Sequence, residues 1–153
     1  MRIALGSDER THLTDAVAEA LMNRGMSVEL CGALAEGDDP RWPEVGRKVG
    51  EKVSRGEADQ GILFCWTGTG VSIAANKVSG VRAALCTDAA TAAGARRWND
   101  ANVLCMGLRL TSPEVAREML DAWFATSAGD GEDAEAVARL ESVEASSKEA
   151  ARR

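Results

Sequence analysis

The chain has 153 residues, which is the size of one compact domain. Hydrophobic residues make up 45% of it and charged residues 27%, a balance that is typical of globular proteins and argues against disordered, fibrous and membrane-spanning classes. A net charge of −6 argues against a nucleic-acid partner. The chain has one His, no Tyr and four Trp, so little imidazole is available for acid–base chemistry.

Short apolar runs alternate with helical patterns along most of the chain. The predicted strands are Arg2 to Leu5, Ser27 to Cys31, Gly61 to Cys65, Val81 to Cys86 and Asn102 to Met106. Between them, Gly25 is typical of a helix end, and Asp88 and Ser112 are typical of helix N-caps. This order predicts an α/β fold with a five-stranded parallel sheet and right-handed crossover helices.

The last part of the chain differs in composition from the rest. Residues 125–131 are small and polar, and the helical pattern that follows has only a thin apolar stripe of Val137, Leu140 and Val143. Such a helix cannot be a major core element, so it either packs on a neighbouring subunit or docks as a loose tail. We therefore divide the chain into a domain of residues 1–125 and a C-terminal helical extension of residues 126–153.

The cysteines and the amino terminus indicate the compartment. Cys31, Cys65, Cys86 and Cys105 form no CxxC pair and have no neighbouring His, so we predict reduced thiols and no metal site. The chain enters a strand at once, and no apolar signal region or long apolar run is present. These features favour a cytoplasmic protein that does not bind a membrane.

The stretch after the third predicted strand carries the clearest chemical signal. Gly68 and Gly70 allow a tight turn, and the helix that follows would present free N–H groups to an anion. Cys65 would have its thiolate stabilised beside that helix N-terminus and could act as nucleophile or base. The alternatives are a purely structural turn and a Cys that is only a small buried hydrophobe.

Polar residues also flank other predicted strands. In an open parallel sheet, ligands bind outside the carboxyl ends of the strands, where Asp8, Glu9 and Arg109 lie. Asp8 and Glu9 could bind hydroxyl groups or shuttle a proton, or they could be solvated loop charges. Asn99 precedes the fifth strand and could either donate a hydrogen bond to a developing oxyanion or cap a turn.

Four stretches carry a resemblance to a known family. They are Cys65 to Lys77, Ser79 to Ala83, Asn99 to Arg109 and Asp121 to Trp123. In order, spacing and strand context they resemble the ribose-5-phosphate isomerase B family, which also contains the subunits of galactose-6-phosphate isomerase. The resemblance covers residues 1–125. It implies a Rossmann-like α/β/α sandwich and homodimers or tetramers with active sites at the subunit interface. It also implies interconversion of aldose and ketose phosphates through an enediolate, without metal or organic cofactor.

The resemblance also implies roles for individual residues. Cys65 becomes the base that moves a proton between adjacent sugar carbons, with Thr67 as its hydrogen-bonded assistant. Asp8 would orient substrate hydroxyls, while Asn99 and the backbone amides after Gly68 would stabilise the enediolate oxygens. The full set of expected binding residues is Asp8, Glu9, Trp42, Trp66, Gly68, Thr69, Gly70, Ser72, Trp98, Asn99 and Arg109.

Several imidazole and aromatic positions depart from the family pattern. Glu9 stands where the family has a His, and Trp98 replaces the His that is assigned to sugar ring opening. Trp42 replaces a Tyr, and Trp66 follows the Cys where Gly is common. The Trp side chains could line an apolar wall that suits the C–H face of a sugar, or each could simply pack. His12 could substitute for a missing imidazole, although a surface position on the first helix fits it better.

The phosphate-binding positions depart as well. Two family Arg align with Glu132 and Ala136, so only Arg109 of the cationic set matches. Glu in place of Arg would repel a phosphate. We therefore expect an aldose–ketose isomerase of altered specificity, whose substrate lacks phosphate or is already open-chain. The main alternative is a non-catalytic binding or partner subunit of a hetero-oligomer. A dinucleotide-binding oxidoreductase ranks third, because the third fingerprint glycine is absent.

Overall fold

A five-stranded, fully parallel sheet forms the centre of the protein. The structure, a computed structural model, describes all 153 residues. The strands are β1 Arg2–Ser7, β2 Ser27–Gly32, β3 Gln60–Cys65, β4 Ala83–Leu85 and β5 Val103–Gly107, in the order β2-β1-β3-β5-β4. All five predicted strands are confirmed. Strand β4 is shorter than predicted because the chain still turns at Val81, whose N–H donates to the Val78 carbonyl.

Six helices complete the fold. They are α1 His12–Asn23, α2 Trp42–Ser54, α3 Thr69–Asn76, α4 Ala89–Asn99, α5 Pro113–Ala125 and α6 Glu132–Ala151. The predicted caps are confirmed, since Asp88 accepts a hydrogen bond from the Thr91 N–H at 2.7 Å and Ser112 accepts one from the Val115 N–H at 3.2 Å. Not one of the helices combines the length and apolar composition needed to cross a bilayer.

The sheet separates two apolar layers. Successive side chains of a strand point to opposite faces, so Ile62 and Phe64 of β3 lie among 18 buried residues that include the inner sides of α1, α4 and α5. Leu63 and Cys65 lie among 12 buried residues on the other face, below α2 and α3. This arrangement confirms the predicted α/β/α sandwich and places Cys65 on the α2–α3 face.

The strand order reverses between β1 and β3, and this reversal opens a crevice. The chain leaves β1 towards α1 on one face of the sheet, whereas it leaves β3 towards α3 on the other. Ser7 pairs with Phe64 in the sheet register, so Asp8 and Cys65 occupy the next positions along the two strands. Ligands of open α/β sheets bind at such a point, at the carboxyl ends of the strands.

Two asparagine side chains hold β4 in place. The Asn76 amide donates to the Ala83 carbonyl and accepts from the Ala83 N–H, both at 2.9 Å. On the other side, the Asn102 side chain donates to the Gly80 carbonyl and accepts from the Arg82 N–H. These contacts supply partners for backbone groups of a short edge strand. Asn76 and Asn102, which both lie in the stretches that resemble the family, therefore have a structural role in fixing β4.

Helix α6 has no buried residue and is held through polar contacts. The Glu144 carboxylate accepts a hydrogen bond from the Gly80 N–H at 3.1 Å and pairs with Lys148 at 2.7 Å. Lys148 also bonds to the Ser79 hydroxyl. The helix is therefore anchored on the turn before β4 rather than by an apolar face.

We expect acid to detach α6 from this turn. Hydrogen bonds from Lys148, Ser79 and Gly80 to the Glu144 carboxylate lower the pKa of Glu144 from 4.5 to about 2. The carboxylate therefore stabilises the docked helix fully above its unfolded pKa, and this contribution is lost as the pH falls towards 2. In NMR spectra, the chemical shift of the Gly80 amide should change as the Glu144 carboxylate is protonated. The Glu144→Gln variant should change the same chemical shift at neutral pH. Glu141→Gln is the control; a resonance that responds equally to both variants would contradict the anchor.

Candidate active site

The last residue of β3 and the residues after it form a tight turn, Cys65–Ser72, which we call the Gly68 turn. The Cys65 side chain is buried, and its carbonyl accepts hydrogen bonds from the N–H groups of Gly68 at 3.2 Å and Leu108 at 2.9 Å. The Trp66 carbonyl accepts from the Arg109 N–H at 2.9 Å. These bonds hold the turn against the segment after β5, so the exposed Arg109 lies directly beside it.

Helix α3 starts inside this turn. Gly68 is its N-cap in the left-handed region, with φ +76°, and the first N–H groups of the helix have no acceptor within it. The hydroxyls of Thr67 and Thr69 are 2.7 Å apart and form a hydrogen bond. The Thr67 hydroxyl thus has Thr69 as its hydrogen-bond partner on the exposed side of the turn, while the Cys65 side chain is buried. Ser72 is half-buried in the first helical turn.

Replacing Gly68 by Ala is expected to destabilise the protein by about 2–4 kcal/mol. The left-handed backbone costs a residue with a Cβ about 1–2 kcal/mol. The new Cβ would also lie 2.6 Å from Cδ1 of Leu85 and 2.9 Å from the backbone carbon of Met106. Gly37→Ala is a matched control, since Gly37 has φ +78° with nothing within 4 Å of an added Cβ. Equal losses in chemical denaturation would contradict the close packing of the turn.

A groove of about 480 Å³ opens beside the turn, and we call it the Asp8 groove. Its walls are Asp8, Pro40, Arg41, Trp42, Pro43 and Glu44. The Trp42 ring covers Gly70 so closely that a Cβ there would lie 3.0 Å from ring carbons. Partial burial raises the pKa of the Asp8 carboxyl. The structure thus brings Asp8 and Trp42 to the Gly68 turn. Arg41 also lines this groove, although it was not among the predicted site residues. Its position next to Trp42 in the sequence could have indicated it.

Trp98 and Asn99 lie in a different place. They belong to the last turn of α4, whereas the helix begins beside the carboxyl end of β4. The side chain of Arg82, the residue before β4, donates to the carbonyl of Asp100 at 2.8 Å, so α4 ends beside the amino end of β4, whereas Cys65 lies at the carboxyl end of β3. A second groove, of about 460 Å³, runs along α4 to Trp98 and Asn99. This groove shares no lining residue with the Asp8 groove, and Leu85 in its wall lies against Gly68.

The three tryptophans expected to form a wall are all exposed. Trp42, Trp66 and Trp98 have exposed fractions of 44%, 57% and 59%. Trp98 packs on Gly94 of its own helix, whereas Trp42 packs on Gly70. Trp42 and Trp98 line different grooves within one chain, and Trp66 lines neither of them.

Two further positions at the carboxyl edge are exposed. Glu9 is exposed, and its backbone is fixed by Ser7, whose hydroxyl donates to the Glu9 carbonyl at 2.6 Å. His12 is exposed at the start of α1, on the face of the sheet opposite Cys65. The interpretation of His12 as a surface helix residue is confirmed.

The other three cysteines have no exposed surface, as predicted. Burial raises the pKa of Cys31 and of Cys86 to about 11 and also raises that of Cys105. Thiols of this kind stay protonated at neutral pH and are inert. No three side chains of His, Cys, Asp or Glu converge in a way that could hold a metal ion.

Comparison with known proteins assigns the chain to a family. Residues 3–140 match the family model described as Ribose/Galactose Isomerase. The chain belongs to the ribose/galactose isomerase family. It is accordingly an isomerase of the kind that interconverts aldoses and ketoses.

Relatives and solved structures agree with this assignment. The chain is 34% identical to the D-erythrulose-4-phosphate isomerase of Pectobacterium atrosepticum, over 92% of this chain and 93% of that protein. It is 35% identical to ribose-5-phosphate isomerase B of Escherichia coli, over 94% and 96%. The structure of Clostridium thermocellum ribose-5-phosphate isomerase B superimposes with a TM-score of 0.88 at 38% identity, covering 95% of this chain and 99% of that one.

Proposed function

We propose that the protein isomerises an open-chain sugar phosphate through an enediolate, with Cys65 as the base. The observation that carries this proposal is the position of Cys65, at the end of β3, beside the point where the strand order reverses and directly before the amino end of α3. The free N–H groups at the start of α3 lie directly after this residue in the chain, and a thiolate can take a proton from carbon and return it to the adjacent carbon.

The proposed reaction moves two protons. The Cys65 thiolate removes the proton from C2 of the aldose, and the electrons of that bond form the C1–C2 double bond of the enediolate while the carbonyl oxygen becomes negative. Free N–H groups at the start of α3 stabilise the charge on the oxygens. The thiol then returns its proton to C1, which gives the ketose. The proton of the C2 hydroxyl passes to the C1 oxygen, and we assign this transfer to the paired hydroxyls of Thr67 and Thr69.

An open-chain substrate fits the groups at this edge of the sheet. The position of the ring-opening His is occupied by Trp98, and the single His of the chain lies on the opposite face from Cys65. A four-carbon sugar phosphorylated on O4 has no free hydroxyl that can close a five-membered ring, so it needs no ring opening. The name of the Pectobacterium relative supports this substrate class. We assign the phosphate to Arg109, beside the turn, and to Arg41, which lines the Asp8 groove and is paired with Asp39.

The substrate proposal is tested by comparing D-erythrulose 4-phosphate with ribose 5-phosphate. We expect kcat/KM to be at least about tenfold higher for the four-carbon substrate, because general acid catalysis of ring opening is worth about 10²–10⁴-fold where it is required. Trp98→His should raise turnover of ribose 5-phosphate and leave that of the four-carbon substrate unchanged. Equal use of both substrates by the unaltered protein would overturn the proposal.

We further propose that a second copy of the chain completes the site. Trp98 and Asn99 lie in the last turn of α4, beside the amino end of β4, whereas Cys65 lies at the carboxyl end of β3, so we assign to a partner's α4 the task of bringing Asn99 to the Gly68 turn as a hydrogen-bond donor to the enediolate oxygen. A two-fold dimer would build two equal sites in this way. In this arrangement residues 126–153 form the extension that packs on the partner, where the exposed Leu140 and Val143 would find cover.

A further inference from the structure

Asp100 ends α4 in an unusual conformation. It is the one residue other than glycine with a positive φ, at φ 43° and ψ 44°, and it directly follows Asn99. Left-handed backbone is uncommon outside glycine, although Asp and Asn tolerate it better than other residues. The conformation stops the helix at Asn99 and turns the chain towards β5.

Two largely buried guanidinium groups hold Asp100 in this conformation. Its carboxylate accepts hydrogen bonds from Nη1 of Arg96 at 3.0 Å and from Nη2 of Arg82 at 3.1 Å. Its carbonyl accepts a third bond, from Nε of Arg82 at 2.8 Å. The exposed fractions of the two arginine side chains are only 13% and 18%. Because water reaches these two guanidinium groups poorly, the Asp100 carboxylate must compensate their charges. The carboxylate is therefore tightly held.

The same contacts continue into the core. The Arg96 guanidinium lies 5.5 Å from the centre of the Trp123 ring, and the Trp123 indole N–H donates to Gln60 Oε1 at 2.7 Å. Nε of Arg96 is buried without a partner, so the polar contacts of this group depend on Asp100 and the Ala101 carbonyl. Asp100 is therefore fixed relative to the core and to the start of β4.

We propose that Asp100 is a positioning residue that fixes the backbone from which the Asn99 side chain projects, an inference that rests on the proposed function. Asn99 is exposed and makes no side-chain hydrogen bond within this chain, so the only constraint on its position is the backbone that Asp100 holds at the end of α4. An oxyanion donor must be held within a fraction of an ångström, because a displacement of about 1 Å costs about 10²-fold in rate. The hydrogen bonds from Arg82 and Arg96 hold Asp100, and through it the backbone of Asn99, although neither arginine is part of the proposed site.

A double-mutant cycle tests the proposal. Asn99→Ala should lower kcat by about 10²–10³-fold, as expected for loss of one oxyanion donor, with little change in KM. Asp100→Gly keeps the left-handed backbone but removes the carboxylate, and it should lower kcat by about tenfold or more. In the Asn99→Ala background, Asp100→Gly should lower kcat no further, since the residue it positions is gone. Asp100→Asn, which retains one acceptor oxygen and the tolerance for positive φ, should recover part of the loss.

Controls separate this role from general stability. Asp59→Asn breaks another Asp–Arg pair, with Arg2 at the start of β1, and should leave kcat unchanged. All variants are compared well below their unfolding temperatures. If Asp100→Gly leaves kcat unchanged, or lowers it equally with and without Asn99, the positioning role is overturned while the proposed function stands. If Asn99→Ala itself has full activity, the proposed role of Asn99 fails, and the positioning role fails with it.

Discussion

Replacing Cys65 by Ser is expected to lower turnover by about 10²–10⁴-fold, the contribution typical of a positioned general base. The serine hydroxyl occupies nearly the same volume but is not ionised near neutral pH, so it cannot remove the C2 proton. The fold should persist, because the change buries one hydroxyl at a cost of about 1–3 kcal/mol. Steady-state kinetics on D-erythrulose 4-phosphate and thermal unfolding measure the two effects separately.

Cys31 supplies the matched control for this variant. It is also buried at the carboxyl end of a strand, and burial raises its pKa to about 11, so it is not expected to act as a base. Cys31→Ala should therefore keep its turnover while losing some stability through the small cavity. Comparable loss of turnover in both variants would show that the effect comes from the fold, and Cys65 would lose its assigned role.

Mixing two inactive variants is expected to restore activity. If Cys65 of one subunit works with Asn99 of its partner, a mixed dimer of Cys65→Ala and Asn99→Ala chains contains one intact site and one doubly altered site. Random exchange of subunits makes about half of the dimers mixed, so the mixture should reach about one quarter of the unaltered activity. The measurement is turnover after the two proteins are unfolded and refolded together.

The control for this mixing experiment is refolding of each variant alone. Each should keep its own low turnover, since its dimers contain only altered sites. A mixture no more active than the mean of its two components would contradict the shared site. It would mean that Cys65 and Asn99 do not work together across a subunit boundary.

Local signals in the sequence were sufficient for the fold. Strong apolar runs, the stop at Gly25 and the caps at Asp88 and Ser112 each describe a local preference, and the structure agrees with all of them. The predicted bounds of strand β4 were the least accurate, because the chain still turns at Val81 and the backbone of Arg82 and Ala83 is bonded by Asn76 and Asn102, which come from other parts of the chain.

The candidate site was predictable only in part. Asp8 and Cys65 follow strands that are neighbours in the sheet, so their proximity follows from the strand order. The position of Asn99 relative to Cys65 depends on the direction and length of α4. The spacing of motifs along the sequence does not predict either of these. The pairing of Thr67 with Thr69 and the left-handed Asp100 are likewise set by contacts that only the folded chain reveals.

Proton exchange with solvent reports whether Cys65 carries the proton between the two sugar carbons. The purified chain alone is incubated with D-erythrulose 4-phosphate in D₂O, and deuterium at the carbon next to the carbonyl is followed by NMR. We expect the unaltered protein to incorporate deuterium there and Cys65→Ser to incorporate almost none, because the proton passes through the thiol. Incorporation that is unaffected by Cys65→Ser, or that appears only after a second homologous subunit is added, would contradict the account.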